Sequence, residues 1–479
     1  MKLIAILIFN RDYAIFKKFF LEVKKLPKFN FEEIISAINA EVINGDKKII
    51  FSEIVTDSRK IIDGSLFIAI KGETFNGEDF AVEAINKGAA GVIVSKDCPK
   101  KNLPSSGIIF KVDDTLKAYQ MIARQWRMKF NIPIVSITGS NGKTTTKDLT
   151  AAVLSAKGEV QKTSGNFNNE IGVPLTLLGI NENHKSAVVE IGMRGLHQIE
   201  GLAKIVKPNI GIVTNVGETH IELLGSIENI ARAKRELVEA IESGGTVILN
   251  ADDPNVINMK NFVKSGVKVI TFAIDNAADI HAENISNDST STRFIVNGKN
   301  FEIPMLGKHN VSNALAAIAA GVAVNLNLDQ IAEGLKNLSA TKMRFETIER
   351  NGLHIINDAY NASPLSMRAA LQTTAEIASG RKIAVLGDML ELGDISENTH
   401  REVGAEVVKN NFDLLITFGE LGKFIAEGAR SAGLDPKKIF TSDTHEQAAD
   451  HLKKIISAGD TILFKGSRGM KMEKIIELI

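Results

Sequence analysis

The sequence contains a single cysteine, Cys98, which excludes an internal disulfide and any metal site built from several cysteines. This scarcity suits the reducing cytosol, so we expect a cytoplasmic protein. Neither sign of charge is in excess, because Lys and Arg total 57 and so do Asp and Glu. No strong overall field therefore favours nucleic acid. No apolar run approaches the roughly 20 residues that cross a bilayer, so we expect no transmembrane segment.

The first 27 residues do not fit the pattern of the rest of the chain. The opening "MKLIAILIF" has a short apolar run but no small-residue cleavage site after it, so it is not typical of a signal peptide. Residues 12–26 have the pattern of a basic amphipathic helix, which would contact a membrane surface. The favoured interpretation is a solvated extension or a packed first helix.

A chain of 479 residues predicts about three domains at roughly 100–200 residues each. Apolar strand patterns alternate with amphipathic helices along the whole chain after the extension, which predicts an α/β protein with parallel sheets. We predict a small α/β domain at 28–130, a central doubly wound domain at 131–337, and a Rossmann-like α/β domain at 338–479. There is no low-complexity tract and no internal repeat.

The stretch "SITGSNGKTTTKD" at 136–148 predicts a phosphate-binding loop between a strand and a helix. Its glycines let backbone N–H groups turn towards an anion, and the positive end of the following helix dipole adds to the attraction. The spacing departs from the common G-x-x-x-x-G-K-[ST] loop, because Ile137 stands where the first glycine is usual. The predicted nucleotide contacts are Gly139, Ser140, Asn141, Gly142, Lys143, Thr144 and Thr145.

The tighter loop T-G-S-N-G-K-T-T-T resembles the ATP loop of the Mur ligase superfamily, which includes folylpolyglutamate synthase. These enzymes join a carboxylate to an amine at the expense of ATP. Further stretches follow in the order that the resemblance requires. They are "TSGNFNNEIGVPLTLL", "VVEIGMR", "TNVGETH", "ARAKREL", "GKHNVSNALAA", "MRFE" and "NDAYNASP".

The resemblance implies roles for particular residues, each of which alone would be an ordinary surface or helix position. Asn166 and Asn169 would lie near the γ-phosphate and the reacting carboxylate. Two Mg²⁺ ions would be held by Thr144, Glu190, His220 and a carbamylated Lys234. ATP would also be contacted by Asn310, Asn313, Arg344 and, at the ribose, Asp358. The implied catalytic residues are Lys143, Asn169, His220 and Lys234.

The first predicted domain, at 28–130, narrows the choice of enzyme within the superfamily. "TDSRKIIDGSLFIAIKGETFNGEDF" resembles the UDP-sugar-binding domain of the ligases that add the third and later residues of the peptidoglycan peptide. Folylpolyglutamate synthases lack this domain. An arginine and a hydroxyl suit a diphosphate. The implied UDP contacts are Ser58, Arg59, Gly72, Asn76 and Gly77.

The third predicted domain, at 338–479, contains "DAYNASPLSM", "GDMLELG" and "KGSRGMKME". They resemble the branch that adds D-alanyl-D-alanine to UDP-N-acetylmuramoyl-tripeptide, with Asn361 and Ser363 as the implied dipeptide contacts. The alternatives are the ligase that adds the third amino acid, a P-loop ATPase or kinase, and a non-catalytic UDP-sugar-binding protein. We expect a monomer, and the third residue of the tripeptide, lysine or diaminopimelate, stays open.

Overall fold

The protein is described by a computed structural model that covers residues 28–44, 47–72, 75–288, 290–336, 338 and 343–479. The extension 1–27, with its predicted helix, lies outside the described residues. The chain forms two compact units, the first made of the residues up to Asn131 together with Pro174–His184. The second is made of Ile132–Val173 and Lys185–Ile479. Within the described part of the chain, no helix is both long enough and apolar enough to cross a membrane.

The first unit is built on a five-stranded sheet. Its strands lie in the order Glu41–Ile43, Ile108–Val112, Gly91–Ser95, Leu66–Ile68 and Ile54–Val55. The first pair is antiparallel and the others are parallel. A two-stranded ribbon pairs Phe29–Asn30 with Ile50–Phe51. The helices are Phe31–Ala37, Ala81–Asn86 and Thr115–Met128, with 3₁₀ turns at Ser58–Lys60 and Gly77–Phe80.

The second unit begins with a seven-stranded sheet. Its order is Ile280–His281, Lys268–Ala273, Thr246–Asn250, Ile210–Val213, Ile134–Thr138, His184–Glu190 and Glu159–Lys162. The pairs from Ile280–His281 to His184–Glu190 are parallel. The helices of this part of the chain are Lys143–Leu154, Gly172–Leu178, Gln198–Val206, Ile221–Leu224, Ile227–Ala240, Pro254–Ile257, Lys308–Ala323 and Leu328–Lys336. Of these, Gly172–Leu178 runs into the segment Pro174–His184 of the first unit.

Alternation along the central strands supplies a core on each face of this sheet. Ile210, Ile212 and Ile248 belong to the apolar cluster that includes the helices Lys143–Leu154 and Lys308–Ala323. Val213, Val247 and Leu249 belong to a second cluster, which includes Val238 and Ile241. Successive side chains of a strand point to opposite faces, so strands covered on both faces must be apolar throughout. This is the doubly wound arrangement that the sequence predicts.

A three-stranded antiparallel sheet of Glu283–Asn287, Thr292–Val296 and Lys299–Ile303 lies in the same unit and was not predicted. Its second hairpin turns at Asn297 and Gly298, whose φ angles are 49° and 76°. Asn-Gly is the usual signal for such a two-residue hairpin loop. The signal was therefore present in the sequence and was overlooked.

The last third of the chain forms a six-stranded sheet with cores on both faces. The order is Glu346–Arg350, Leu353–Asp358, Thr461–Lys465, Lys382–Gly387, Leu414–Phe418 and Ile439–Ser442. The first pair is antiparallel and the rest are parallel. The helices are Pro364–Ile377, Ser396–Lys409, Gly422–Ser431, His445–Ile455 and Glu473–Leu478.

Candidate active site

The predicted phosphate loop follows the buried strand Ile134–Thr138 and is closely packed on both sides. Gly139 has φ 151°, and a Cβ there would lie 1.8 Å from Oγ1 of Thr214. Gly142 has φ 78°, and a Cβ there would lie 2.3 Å from Oδ1 of Asn313. Only glycine combines these backbone angles with such close neighbours. Close packing therefore requires glycine at both positions and fixes the path of the loop.

Lys143 opens the helix after this loop. Its Nζ donates to the carbonyl oxygens of Gly139 at 2.7 Å and Ser140 at 3.2 Å. Burial lowers the pKa of Lys143, an effect that the carboxylate of Glu190 opposes and the guanidinium of Arg344 reinforces. The amine thus lies where several charged groups converge. A bound phosphate would offset the cost of burying its positive charge better than the two carbonyl oxygens do.

Thr144, the predicted magnesium ligand, is buried beside Arg344. Nη2 of Arg344 donates to Oγ1 of Thr144 at 2.9 Å, and the guanidinium lies 4.1 Å from the centre of the Tyr360 ring. Nε of Arg344 is buried without a hydrogen-bond partner among the described residues. The arginine therefore keeps an unused donor next to the phosphate loop, although 200 positions separate it from Thr144 in the sequence.

Glu190 ends the strand next to the loop strand, as predicted. Its Oε1 accepts from Nδ2 of Asn168 at 2.7 Å, while Oε2 is buried with no hydrogen-bond partner in the described structure. The Oγ1 of Thr163 accepts the backbone N–H of Glu190, and the carbonyl oxygen of Thr163 accepts from Nζ of Lys147, each at 2.9 Å. Sequence reasoning missed Asn168, Thr163 and Lys147.

The predicted asparagines of the "TSGNFNN" stretch have different surroundings. Oδ1 of Asn169 accepts the backbone N–H groups of Ile171 and Gly172, at 3.3 and 2.9 Å, and so caps the helix that begins at Gly172. Asn166 contributes a backbone carbonyl that accepts from the N–H of Asn168. The side chain that reaches Glu190 is that of Asn168, and only the fold could distinguish it from its neighbours.

His220 lies beside Glu391, a residue that the sequence did not single out. Nδ1 of His220 is 2.5 Å from Oε2 of Glu391, whose Oε1 accepts from Nη2 of Arg194 at 2.9 Å. Burial lowers the pKa of His220, and Lys143 and Lys234 lower it further, while Glu391 opposes the shift. Burial would raise the pKa of Glu391, but its contacts with Arg194 and His220 bring it below the ordinary value.

Lys234 projects from the helix Ile227–Ala240 into the interior, where it is only 2% exposed. Burial lowers its pKa well below the ordinary value, the charge of Lys143 lowers it further, and Asp253 opposes the shift. Lys143, His220 and Lys234 thus act on one another electrostatically. A lysine on the outer face of a helix would be exposed, whereas Lys234 is buried and its pKa is lowered.

The predicted adenine and phosphate asparagines lie on the first turns of the helix Lys308–Ala323. Nδ2 of Asn310 donates to the carbonyl of Leu306 at 2.8 Å. Oδ1 of Asn313 accepts from Oγ1 of Thr146 at 3.2 Å. Both asparagines are buried. Asn313 therefore joins this helix to the loop helix.

Asp358, the predicted ribose ligand, ends the strand Leu353–Asp358. Its Oδ2 is 2.5 Å from Nζ of Lys465, and its Oδ1 accepts the backbone N–H of Phe345 at 3.1 Å. Lys465 is buried and also donates to the carbonyl of Asn361 at 3.0 Å. A carboxylate has about four lone-pair positions, so these two contacts leave room for a hydroxyl donor.

The two predicted dipeptide residues have different environments. Asn361 is exposed. Ser363 is buried, caps the helix Pro364–Ile377, and donates from Oγ to Oδ1 of Asn141 at 2.7 Å. Nδ2 of Asn141 is buried without a partner in the described residues. Ser363 thus contacts the phosphate loop directly, a link across 222 positions that the sequence did not reveal.

The predicted UDP contacts Ser58 and Arg59 form a 3₁₀ turn in the first unit. Nε and Nη2 of Arg59 each donate to a carboxylate oxygen of Asp57 at 2.8 Å. This hydrogen bonding lowers the pKa of Asp57 to about 2. Nζ of Lys87 donates to the carbonyl of Ser58 at 3.2 Å. The guanidinium of Arg59 is largely exposed, so its outer edge is accessible to an anion.

The other predicted UDP contacts flank a turn in the same unit. Asn76 caps the 3₁₀ turn that starts at Gly77, and a Cβ at Gly77 would lie 2.5 Å from the carbonyl oxygen of Ile70. The ring of Phe75 lies against Gly72, 3.5 Å from where a Cβ would be. Close backbone approach therefore explains the glycine at position 77.

The residues around the loop fit a magnesium ion that is shared with a phosphate. No cluster of three His, Cys, Asp or Glu side chains that could hold a metal is found among the described residues. Mg²⁺ does not need one, because it is usually held by one or two carboxylates, waters and substrate phosphates. The buried, unpartnered Oε2 of Glu190 supplies such a carboxylate oxygen. The donor set fits a nucleotide-bound ion.

The fold and site define a phosphate-loop enzyme of the α/β class, with a nucleotide-type site at the carboxyl ends of a parallel sheet. Three family models match the chain. "Mur ligase family, catalytic domain" matches residues 51–127, "Mur ligase middle domain" matches 137–321, and "Mur ligase, glutamate ligase domain" matches 343–468.

Individual relatives agree with these matches. The UDP-N-acetylmuramoyl-tripeptide–D-alanyl-D-alanine ligase of Bacillus subtilis (strain 168) is 42% identical over 428 residues, which cover 88% of this chain and 92% of that protein. The crystal structure of MurF from Acinetobacter baumannii has a TM-score of 0.87 at 29% identity and covers 95% of this chain and 99% of that chain. MurF ligase from Thermotoga maritima in complex with ADP has a TM-score of 0.79 at 28% identity, with coverages of 89% and 96%.

The chain belongs to the Mur ligase family, and it is therefore an ATP-dependent ligase that forms an amide bond. The predicted family is confirmed, as is the predicted fold of α/β domains. The individual residue roles and the domain boundaries stay predictions.

Proposed function

We propose that this chain uses ATP to join D-alanyl-D-alanine to UDP-N-acetylmuramoyl-tripeptide in the cytoplasmic synthesis of peptidoglycan precursors. The observation that carries the proposal is the convergence of Lys143, Glu190, His220, Lys234 and Arg344 around one phosphate loop. Relatives that match nearly the whole chain are named for this reaction, which supports the choice of substrates.

The first chemical step needs positive charge. A carboxylate is a poor electrophile until ATP converts it to an acyl phosphate, and that transfer brings several anions together. Lys143 and Arg344 already lie beside the loop, so they would stabilise the developing charge once the phosphates are bound. Nδ2 of Asn141, buried without a partner in the described structure, supplies a further donor for a phosphate oxygen. The dipeptide amine then attacks the acyl carbon, and phosphate leaves.

Two magnesium ions would be held near the loop. Thr144 and Glu190 would hold one ion, and His220 with a carbamylated Lys234 would help to hold the other. The ions supply neutralisation of the phosphate oxygens. Lys234 suits the modification because its lowered pKa leaves neutral amine available, and neutral amine is the form that adds CO₂. The products are an anionic carbamate and one proton.

The domains would divide the substrates between them. We assign the UDP group to 28–130, most of the ATP contacts to 131–337, and the dipeptide to 338–479, within a monomer. Arg344 and Asp358 would add ATP contacts from 338–479. Asp358 would contact the ribose and Asn310 and Asn313 the adenine side of ATP. Asn169 would lie near the γ-phosphate, at the start of the helix that its side chain caps.

Turnover measurements separate this reaction from its alternatives. ATP hydrolysis should require both a UDP-muramoyl tripeptide and D-alanyl-D-alanine, tested as a panel of UDP-muramoyl peptides against a panel of amines. ADP release without any amine would favour an ATPase, and transfer to a hydroxyl would favour a kinase. Turnover with a UDP-muramoyl dipeptide and a single amino acid would favour the ligase that adds the third residue. Absence of turnover with every pair would favour a binding protein.

Arg59→Ala should raise the KM for the UDP substrate about tenfold or more and leave the KM for ATP nearly unchanged. The exposed edge of the guanidinium would be lost, and with it a charge-assisted contact to the diphosphate. Steady-state kinetics with each substrate varied in turn measures both constants. Lys96→Ala, at another exposed pair in the same unit, is the control. Equal losses for both substrates would contradict a UDP contact.

Asn361→Ala should raise the KM for D-alanyl-D-alanine, because the assigned contact to the dipeptide would be lost. It should leave the KM for ATP unchanged, because the residue is exposed. Ser363→Ala should impair use of the dipeptide and also weaken ATP binding, since its hydroxyl contacts Asn141. It should also lower the free energy of unfolding by about 1 kcal/mol, through loss of the helix cap. Kinetics and denaturant titrations test both variants. If either variant lost affinity for ATP and kept its KM for the dipeptide, residues 361–363 would belong to the nucleotide site.

A further inference from the structure

Glu391 lies in a loop of the six-stranded, C-terminal sheet and contacts two segments that follow strands of the seven-stranded, central sheet. Its carboxylate contacts Nδ1 of His220 at 2.5 Å through one oxygen and Nη2 of Arg194 at 2.9 Å through the other. Its own carbonyl oxygen accepts the backbone N–H of Glu222 at 3.4 Å. A Cβ at Gly393 would lie 3.2 Å from Cβ of Glu222. The loop 390–393 is therefore packed directly against the segment that contains His220.

The backbone at both ends of the contact is unusual. His220 and Glu391 each have a φ of 65°, in the left-handed region that residues other than glycine seldom adopt. Such residues persist only where the surroundings hold them. The imidazole and the carboxylate are thus brought together by two specifically shaped turns rather than by two flexible surface chains.

The chemistry of the pair determines which ring nitrogen is available. A carboxylate accepts hydrogen bonds, so Nδ1 carries the hydrogen that points at Glu391. The lone pair of the neutral ring then lies on Nε2. A histidine that binds a metal usually donates its other N–H to a carboxylate or carbonyl, which orients the ring and makes the ligand nitrogen more basic. The contact with Glu391 has this form.

We propose that Glu391 is a positioning residue, held by Arg194, which orients His220 so that Nε2 is presented to the cation of the active site. The proposal rests on the proposed function, because that function assigns a cation to His220. It adds a consequence: the central sheet completes its cation site only when the loop 390–393 of the C-terminal sheet lies against it. Formation of the site is thereby coupled to the packing of these two parts of the second unit.

Direct metal binding tests the proposal independently of catalysis. Mn²⁺ is titrated into the protein with a non-hydrolysable ATP analogue, and free Mn²⁺ is followed by electron paramagnetic resonance. Glu391→Ala should weaken Mn²⁺ binding about tenfold or more. Glu391→Gln, which keeps an acceptor oxygen and the shape of the side chain, should recover part of that loss. Glu397→Ala, an exposed glutamate paired with Arg401, should bind as the unchanged protein does.

A double-mutant cycle distinguishes positioning from a merely structural tie. If Glu391 acts through His220, then Glu391→Ala should change Mn²⁺ affinity less than twofold in a His220→Ala background. Arg194→Met should give a smaller loss than Glu391→Ala. The proposal is overturned if Glu391→Ala and Glu391→Gln both bind Mn²⁺ normally, or if the His220 and Glu391 losses multiply. If the Mn²⁺ results are as expected but no UDP-muramoyl peptide is ligated, the proposed function fails and the role of Glu391 stands.

Discussion

Lys143→Ala should lower the rate of ligation by roughly two to three orders of magnitude, the cost of removing one fixed group that stabilises developing charge. The lysine opens the helix after the phosphate loop, and its amine contacts two loop carbonyls rather than the hydrophobic core. Because burial lowers its pKa, the charged amine costs stability at neutral pH, so its removal should not unfold the chain. Single-turnover kinetics and thermal unfolding measure the two effects.

The control for this variant is Lys204→Ala, which removes an exposed lysine that pairs with Glu200 one helical turn away. It should leave both rate and unfolding temperature unchanged, since exposed ion pairs contribute about 0–1 kcal/mol. Normal ligation by a well-folded Lys143→Ala protein would overturn the assignment of the loop to phosphate.

Lys234→Ala should reduce ligation by a comparable factor, roughly a hundredfold or more, if the lysine acts as a carbamate. An ordinary lysine at this place would repel Mg²⁺, whereas its carbamate would attract it. Acetate should restore part of the activity by placing an anion in the vacated space. The lysine is buried and its pKa is well below the ordinary value, which supplies the neutral amine that the modification needs. Rates measured across a series of acetate concentrations test the rescue.

The sign of the stability change gives an independent check on Lys234. A buried amine with a lowered pKa binds fewer protons in the folded than in the unfolded chain, so it costs stability as pH falls below its unfolded pKa, near the ordinary 10.5. Lys234→Met should therefore be no less stable than the parent at neutral pH, although it is inactive. Acetate should not rescue Lys143→Ala, which lacks a cation. Full activity of Lys234→Ala, or equal rescue of both variants, would make Lys234 an ordinary buried lysine.

The sequence predicted most of what depends on neighbouring residues. The strand Ile134–Thr138, the glycine loop and the helix from Lys143 follow one another directly, so a local pattern was enough to locate the phosphate site. Glu190 was expected at the end of a strand for the same reason, and the strand His184–Glu190 ends there. The three-stranded antiparallel sheet at 283–303 was missed because its Asn-Gly turn was overlooked.

The candidate site shows where local reasoning stops. Among the asparagines of "TSGNFNN", the sequence pointed to Asn166 and Asn169, yet Asn168 is the one bonded to Glu190. Which of several adjacent side chains reaches the carboxylate depends on the path of the loop, and the path depends on packing. Likewise Ser363 was assigned to the dipeptide without any sign that its hydroxyl reaches Asn141.

The sequence by itself determined the class of protein, because the strand, loop and helix patterns and the order of the motifs are properties of short segments. Only the tertiary structure decided the state of Lys234, since burial and the charge of Lys143 set its pKa. It also decided the partner of His220, because Glu391 lies 171 positions away. Contacts between residues so far apart in the sequence depend on the order of strands in two sheets and on the packing of the whole second unit. No short segment encodes them.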